Sequence, residues 1–296
     1  MNVDVRHRQF IVSYSPEDET YAKRLLVVLD KEIAVFENFF NTKLEGIFTI
    51  EIPASQTDYN TSAGSNIPEW SNALYMPSQR RMILKKPEWF SSEENFEQVI
   101  SHELSHLFFH QKYGHSAIPL WFNEGLAEYL SDKRIEMPEG VIIANAIFTR
   151  IIIPLMNIDS LLLFNSGRAR LAYLESLTAI QFLESIISSR GNEWDEFMEM
   201  VNQAGFEITL KSFTTYDQVD FEIFWYRWLS EKYKWFIILN WENLIWIFMT
   251  IVLLGALYAV RYRNKKTLED WENDESLQLE PEDQVNIDIN IDNPKY

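Results

Sequence analysis

Short runs of alternating apolar and polar residues mark the N-terminal part of the chain. They predict four strands, the last two suited to a hairpin, at residues 10–14, 47–52, 73–76 and 81–84. After the first run, apolar residues recur every three or four positions, which predicts a helix from Ser15 to about Phe40. We therefore expect a small N-terminal mixed sheet.

The rest of the chain shows mainly the three-to-four spacing of helices. The predicted helices cover residues 91–113, 119–130, 171–188, 192–201 and 221–233. A small sheet followed by a largely helical half predicts an α+β fold. We expect a folded domain at 1–234, a membrane helix with its flanks at 235–263, and a tail at 264–296.

The segment Leu244–Val260 contains 17 residues without a charge, which is at the short end for a membrane span. Aromatic residues lie near both ends, as in interfacial belts: Trp241, Trp246, Tyr258 and Tyr262. A buried core helix would have a similar composition. A run that is apolar on all sides nevertheless favours a single membrane span.

Basic residues set the expected orientation of that span. Four follow it closely, namely Arg261, Arg263, Lys265 and Lys266, and three precede it, namely Arg227, Lys232 and Lys234. The tighter cluster predicts a cytoplasmic tail and an extracytoplasmic folded domain. The N-terminus argues the other way, because no apolar secretory region follows its basic start. A leader outside the numbered chain would reconcile the two.

Charge and cysteine content exclude several kinds of site. A formal net charge of −18 without an evident basic surface argues against nucleic acid as a partner. Ten acidic and no basic residues lie from Glu269 to Asp292, which predicts a disordered acidic tail of unknown partner. Without cysteine there are no disulfides or thiolate sites, so histidine and carboxylate remain as metal ligands.

One predicted helix carries candidate metal chemistry. His102, Glu103 and His106 have the spacing H-E-x-x-H. Residues four apart share a helix face, so both histidines can bind one metal ion while Glu103 reaches a water on it. His110 lies a full turn further and is expected to point past the ion. The structural alternative is a surface helix that happens to carry histidine and glutamate.

A third ligand is expected on the next helix, since hydrolytic zinc sites have three protein ligands and one open position. Glu124 and Glu128 lie four apart there, between Trp121 and Leu130. Carboxylates are costly to bury among such residues unless a cation compensates them, although a solvated acidic face is the alternative. Glu124 is the candidate ligand, and Glu128 would accept a hydrogen bond from a ligand imidazole.

Together, His102–His106 and the segment Pro119–Tyr129 resemble the gluzincins, specifically the peptidase MA-like domain related to thermolysin and aminopeptidase N. The resemblance implies that Glu124, in its Asn-Glu-Gly context, is the third zinc ligand. It also implies that Tyr173 stabilises the oxyanion, although a packed helix tyrosine is the alternative. The 17 residues between His106 and Glu124 are one fewer than in the aminopeptidases.

These features predict a membrane-anchored zinc metallopeptidase acting on a peptide or protein. Zinc would lower the pKa of its water, and Glu103 would take the proton and return it to the leaving amine. A catalytically weak or inactive binding or scaffold protein on a peptidase fold is the main alternative. A zinc hydrolase of another amide is the third. The absence of a recognisable amino-terminus clamp favours an endopeptidase.

Overall fold

A five-stranded mixed sheet forms the N-terminal part of this computed structural model. The structure describes residues 2–64, 67–90, 95–114, 117–236 and 241–278. The strands are β1 (Val3–His7), β2 (Phe10–Tyr14), β3 (Phe48–Ile52), β4 (Ala73–Met76) and β5 (Arg81–Leu84). Their order is β1-β2-β3-β5-β4; β2, β3 and β5 are parallel, and the two outer strands pair antiparallel with their neighbours. β4 is therefore an edge strand.

The alternation along β2 and β3 places one face of the sheet in the core. The buried strand residues include Phe10, Val12, Phe48, Ile50 and Ile52. Helix α1 (Glu19–Phe39) contributes its apolar stripe to the same core, with Leu25, Leu29, Ile33 and Phe36 buried. The strand and helix predictions for this part of the chain are thus confirmed, as is the hairpin of β4 and β5.

Two N-terminal elements differ from the sequence prediction. Strand β1 was not predicted, because its residues are mostly polar and exposed, as is common at a sheet edge. Helix α2 (Gln56–Ala63) lies in the polar stretch 54–68, which was expected to be a loop because it contains Gly and Pro and no helical periodicity; that expectation was wrong. The Ser55 side chain caps the helix and Tyr59 is buried beneath it, which offsets the polar composition.

Among the described residues, seven further α-helices follow in the first part of the chain. They are α3 (Phe96–Tyr113), α4 (Leu120–Leu130), α5 (Met137–Thr149), α6 (Ser166–Ser189), α7 (Trp194–Ala204), α8 (Phe206–Thr214) and α9 (Gln218–Tyr233). A 3-10 helix, Leu155–Leu163, joins α5 to α6. Helices α5 and α8 were not predicted from the sequence. The α+β fold with a small N-terminal sheet and a mostly helical remainder is confirmed.

Helix α3 begins later than the sequence predicted. The expected start at Ser91–Glu94 lies outside the described residues. In the structure the Asn95 side chain accepts a hydrogen bond from the Glu97 backbone N–H at 3.0 Å and caps the helix. The helix then continues through the H-E-x-x-H segment to Tyr113, which places both histidines well inside it.

The chain divides into two compact units, Met1–Ile237 and Ile238–Tyr296. Helix α10 (Trp241–Gln278) forms the described part of the second unit. Its segment Leu244–Asn273 is long and apolar enough to cross a membrane, by length and composition alone. The predicted three-part division of the chain stays a prediction.

Helix α10 extends beyond the predicted end of the membrane segment. The tail was expected to be disordered from residue 264, yet residues 264–278 continue the helix. Lys265 and Glu269 lie four residues apart with charged atoms 3.7 Å from each other, a spacing that supports a helix. The alternating stretch 285–291 lies outside the described residues.

Candidate metal centre

Three side chains from α3 and α4 meet at one point. The Nε2 atoms of His102 and His106 are 3.1 Å apart, and Glu124 Oε2 lies 3.5 Å from each. Ligands at about 2.0–2.1 Å from a tetrahedral ion are separated by roughly 3.3–3.4 Å, so the three atoms have the spacing of a metal site. The structure thus brings together the three residues predicted as ligands; their role as ligands stays a prediction.

Side chains of α4 contact the Nδ1 atoms of both imidazole rings, on the side away from the meeting point of the Nε2 atoms. Glu128 Oε1 lies 3.0 Å from His102 Nδ1, and Asn123 Oδ1 lies 3.3 Å from His106 Nδ1. An acceptor at Nδ1 holds the proton there and leaves Nε2 free to bind a metal ion. The sequence analysis expected the Glu128 contact but missed Asn123. The spacing offered a signal, because Asn123 immediately precedes Glu124 on the same helix.

The charges of this cluster attract a cation. Burial alone would raise the pKa of Glu124, but the His106 and His102 imidazoles lower it well below the usual range. Burial would likewise lower the pKa of both histidines, yet Glu124, joined by Glu128 at His102, raises it. The two imidazoles therefore hold positive charge tightly, either as protons or as a shared metal ion.

Glu103 lies beside the cluster and next to the sheet edge. Its side chain is buried and accepts a hydrogen bond from the Tyr75 backbone N–H on β4. Burial raises the pKa of Glu103, and His106 and His102 lower it only in part. A carboxylate with a raised pKa is the better proton acceptor, and this one is held in place by a backbone contact.

Tyr173 and Trp70 line the approach to His102. The Tyr173 ring, on α6, lies edge-on to the His102 ring at 5.9 Å and to the Trp70 ring at 6.0 Å. The Trp70 Nε1–H donates a hydrogen bond to the Phe164 carbonyl oxygen at 2.9 Å. Tyr173 is thus close to the cluster, while its catalytic role stays a prediction. The sequence contained no signal for Trp70, which belongs to a loop.

His110 stands apart from the three candidate ligands. Its ring is 6.4 Å from the Tyr75 ring, and it does not belong to the His102, His106 and Glu124 group. One helical turn beyond His106 carries the side chain past the cluster, as the sequence analysis expected.

Gly125 allows α4 to lie close to α6. A Cβ atom at this position would overlap the Ser176 carbonyl oxygen of α6. The glycine after Glu124 therefore sets the distance between the helix that carries Glu124 and the helix that carries Tyr173.

Comparisons with known proteins find distant similarity to solved structures. No protein-family model and no curated protein sequence gives a match. Native yeast LTA4 hydrolase is similar with a TM-score of 0.43 and 17% identity, over 82% of this chain and 38% of that one. Its complex with bestatin has a TM-score of 0.42 and 17% identity, with the same shares of the two chains covered. Native leukotriene A4 hydrolase from Saccharomyces cerevisiae has a TM-score of 0.39 and 18% identity, and the match covers 81% of this chain and 38% of that one.

This chain thus spans well under half the length of the solved structures it matches.

Proposed function

We propose that this protein is a membrane-anchored zinc metallopeptidase of the gluzincin type. The observation that carries the proposal is the convergence of His102 Nε2, His106 Nε2 and Glu124 Oε2 at 3.1–3.5 Å from one another. Two imidazoles and one carboxylate are the donor set of hydrolytic zinc sites and leave one position for water. The buried carboxylates around the two rings supply the negative charge that a divalent ion needs.

Zinc bound there would polarise the scissile carbonyl and lower the pKa of a bound water toward about 7. Glu103 accepts a proton as water adds to the carbonyl carbon, and returns it to the nitrogen as the carbon–nitrogen bond breaks. Glu128 and Asn123 hold the imidazoles in orientation throughout. Tyr173 donates a hydrogen bond to the oxyanion that develops, and its nearness to His102 supports this role.

The substrate in this proposal is a peptide or protein, and the anchor is helix α10. The segment Leu244–Asn273 supports a single membrane span by its length and composition. The basic residues that follow the uncharged run, Arg261 to Lys266, support a cytoplasmic tail and an extracytoplasmic catalytic domain.

The test uses the full chain, purified in mild detergent, with zinc measured by mass spectrometry and hydrolysis by quenched fluorescent peptides. Glu124→Ala should lose the metal, because two imidazoles alone bind zinc weakly. Glu103→Gln should keep the metal and lose hydrolysis, because the amide accepts no proton. Glu196→Ala and Glu196→Gln, at an exposed position on α7, are the matched controls and should behave as wild type.

Two results would contradict the proposal. One is a Glu103→Gln variant that cleaves peptides at the normal rate, and the other is a Glu124→Ala variant with a full zinc complement. A wild-type chain that holds zinc but cleaves no peptide of any length would instead favour a binding or scaffold protein on a peptidase fold. A chelator control distinguishes metal-dependent hydrolysis from contamination.

A further inference from the structure

In the folded unit, exposed apolar side chains are concentrated at the end of α5 and in the segment that joins α5 to α6. Five large ones lie within 16 residues: Phe148, Ile151, Met156, Leu162 and Leu163. Phe148 is 77% exposed and Leu163 is 87% exposed. We call residues 148–164 the apolar lip. Clusters of exposed apolar side chains are uncommon on soluble surfaces and mark contact sites for proteins or membranes.

The lip is a fixed part of the fold, held from its inner side. The Ile153 backbone N–H donates to both carboxyl oxygens of Glu175 at 3.1 and 3.2 Å, and the Leu155 N–H donates to Glu222 Oε2 at 3.2 Å. Four side chains of the lip point into the core: Ile153, Leu155, Ile158 and Leu161. Ile152 and Phe164 are partly buried against the same core, and the five exposed apolar side chains lie on the outer side of the lip.

The local charge differs from that of the whole chain. Residues 148–168 contain two basic side chains, Arg150 and Arg168, and one acidic side chain, Asp159, whereas the chain as a whole has a formal net charge of −18. The Asp159 carboxylate accepts a hydrogen bond from the Leu120 backbone N–H at 3.3 Å. Arg168 stacks over the Phe164 ring at 4.4 Å. Unlike most of this protein, the lip is not repelled by an anionic surface.

The inner end of the lip is connected to the candidate metal centre through two aromatic side chains. The carbonyl of Phe164, its last residue, accepts the hydrogen bond from Trp70. The Trp70 ring contacts Tyr173, and the Tyr173 ring contacts His102. Three successive contacts therefore connect the lip to a candidate metal ligand.

The chain itself indicates what covers this surface. Helix α9 ends at Tyr233 and α10 begins at Trp241, so seven residues join the folded unit to the candidate span. Seven residues reach at most about 25 Å when fully extended. If α10 spans a membrane, the folded unit is always within that distance of lipid, which makes lipid its most concentrated apolar neighbour. A side chain as exposed as Leu163 protrudes rather than lining a groove, which suits insertion into lipid.

We propose that the apolar lip contacts the lipid surface, with Leu162 and Leu163 at headgroup level, and brings the metal centre to the membrane surface. The inference rests on the membrane anchor of the proposed function and deepens it by naming the substrate class. The substrates are polypeptide segments that lie at or near the membrane surface. Apolar side chains and arginines together are typical of segments that lie in the interface.

The absence of cysteine makes a direct test possible, since each introduced cysteine is then the single labelling site. Full-length chains carrying Leu163→Cys or Phe148→Cys are labelled with an environment-sensitive nitrobenzoxadiazole dye and reconstituted into phosphatidylcholine–phosphatidylglycerol vesicles. Leu253→Cys, in the candidate span, is the control for anchoring. Val27→Cys, 68% exposed on α1, is the matched control for an apolar residue outside the lip.

For the dye at positions 163 and 148 we expect blue-shifted emission and about twofold quenching by nitroxide-bearing lipids. This quenching should approach that of the dye at position 253. The dye at position 27 should not be quenched. Quenching at 253 with water-like emission at 163 and 148 would overturn the lipid contact and leave the anchor intact. Blue-shifted but unquenched emission at 163 would also overturn it, because a second protein surface would then cover the lip. An unquenched probe at 253 would remove the anchor itself, and the lip inference with it.

Discussion

At the residue scale, the candidate metal centre depends on pairs of contacts rather than on single side chains. Each imidazole has Glu124 near its Nε2 and a separate acceptor on α4 at its Nδ1. The acceptor at Nδ1 selects the tautomer and the ring orientation that a metal ion needs. The orientation of the two imidazoles therefore depends on Glu128 and Asn123, which would not touch the ion.

Glu128→Ala should weaken zinc binding without removing a ligand. Loss of the acceptor 3.0 Å from His102 Nδ1 frees the ring to rotate and to change tautomer. We expect about 10- to 100-fold lower zinc affinity, measured by competition with a chromogenic chelator. Glu196→Ala on α7 should show wild-type affinity. An unchanged affinity in Glu128→Ala would mean that Glu128 does not orient the ring.

Glu175 should make stability depend on pH. It is fully buried, and burial raises the pKa of its carboxyl well above the usual value, so the folded state holds this proton more tightly than the unfolded chain. The stability contribution of Glu175 is thus greatest below its unfolded pKa. It declines as pH rises from there toward the folded pKa.

Glu175→Gln, which keeps one acceptor oxygen for the Ile153 N–H, should remove that decline. Thermal unfolding of both full-length proteins between pH 5 and 8 measures this. The variant should gain melting temperature relative to wild type as pH rises. The exposed change Glu196→Gln should keep the wild-type slope. A constant difference between wild type and Glu175→Gln across the pH range would contradict the assignment.

At the element scale, the distance between α4 and α6 sets the geometry of the site. Gly125 removes the Cβ that would otherwise overlap the Ser176 carbonyl oxygen. Because Glu124 precedes this glycine and Tyr173 lies on the partner helix, any separation of the two helices moves both candidate site residues. The close contact at Gly125 therefore helps to set the geometry of the candidate metal centre.

Gly125→Ala should therefore affect both stability and metal binding. Forcing a methyl group into this contact costs roughly 1–3 kcal/mol of the free energy of unfolding. Zinc affinity should fall as well, since Glu124 moves with its helix. Gly167→Ala is the matched control, because its Cβ would meet only the Asn165 side chain at an ordinary 3.7 Å. The same free energy of unfolding and the same zinc affinity in both variants, measured by denaturant and chelator titrations, would contradict this role of Gly125.

At the scale of the whole molecule, the two units have opposite surface chemistry. The folded unit buries its apolar residues except in places such as the lip, whereas the apolar side chains of α10 from Leu244 to Leu257 are exposed along the helix. By its length and composition, this helix suits an apolar solvent. The proposed anchor and the proposed contact of the lip would then have the same surroundings, since lipid would cover both.

The orientation of the span can be tested with the same cysteine-free background. We expect Leu268→Cys, beyond the basic residues that follow the uncharged run, to be protected from a membrane-impermeant maleimide in intact cells. Val27→Cys, in the folded unit, should be labelled. Both should react after the cells are opened, which controls for reactivity. The reverse pattern would place the folded unit in the cytoplasm.

Individual helices and strands, and the residues that share a face on them, could be predicted from the sequence because they depend on neighbouring residues. Two histidines four residues apart share a helix face whatever surrounds that helix, and alternation along β2 and β3 determines which face is buried. Seventeen uncharged residues predict a helix long and apolar enough to cross a membrane, and the structure has such a helix at Leu244–Asn273. Polar α2 and exposed β1 were missed because caps, pairing and a single buried tyrosine decide them, rather than periodicity.

The tertiary structure alone decided everything that joins distant parts of the chain. Sequence spacing could name Glu124, but only the packing of α4 against α3 sets its oxygen 3.5 Å from both imidazoles. The contacts of Asn123, Trp70 and Ser176, like the outer face of the lip, join helices and loops that lie far apart in the sequence. Such contacts depend on where whole elements pack, and a period of two or 3.6 residues contains no information about that.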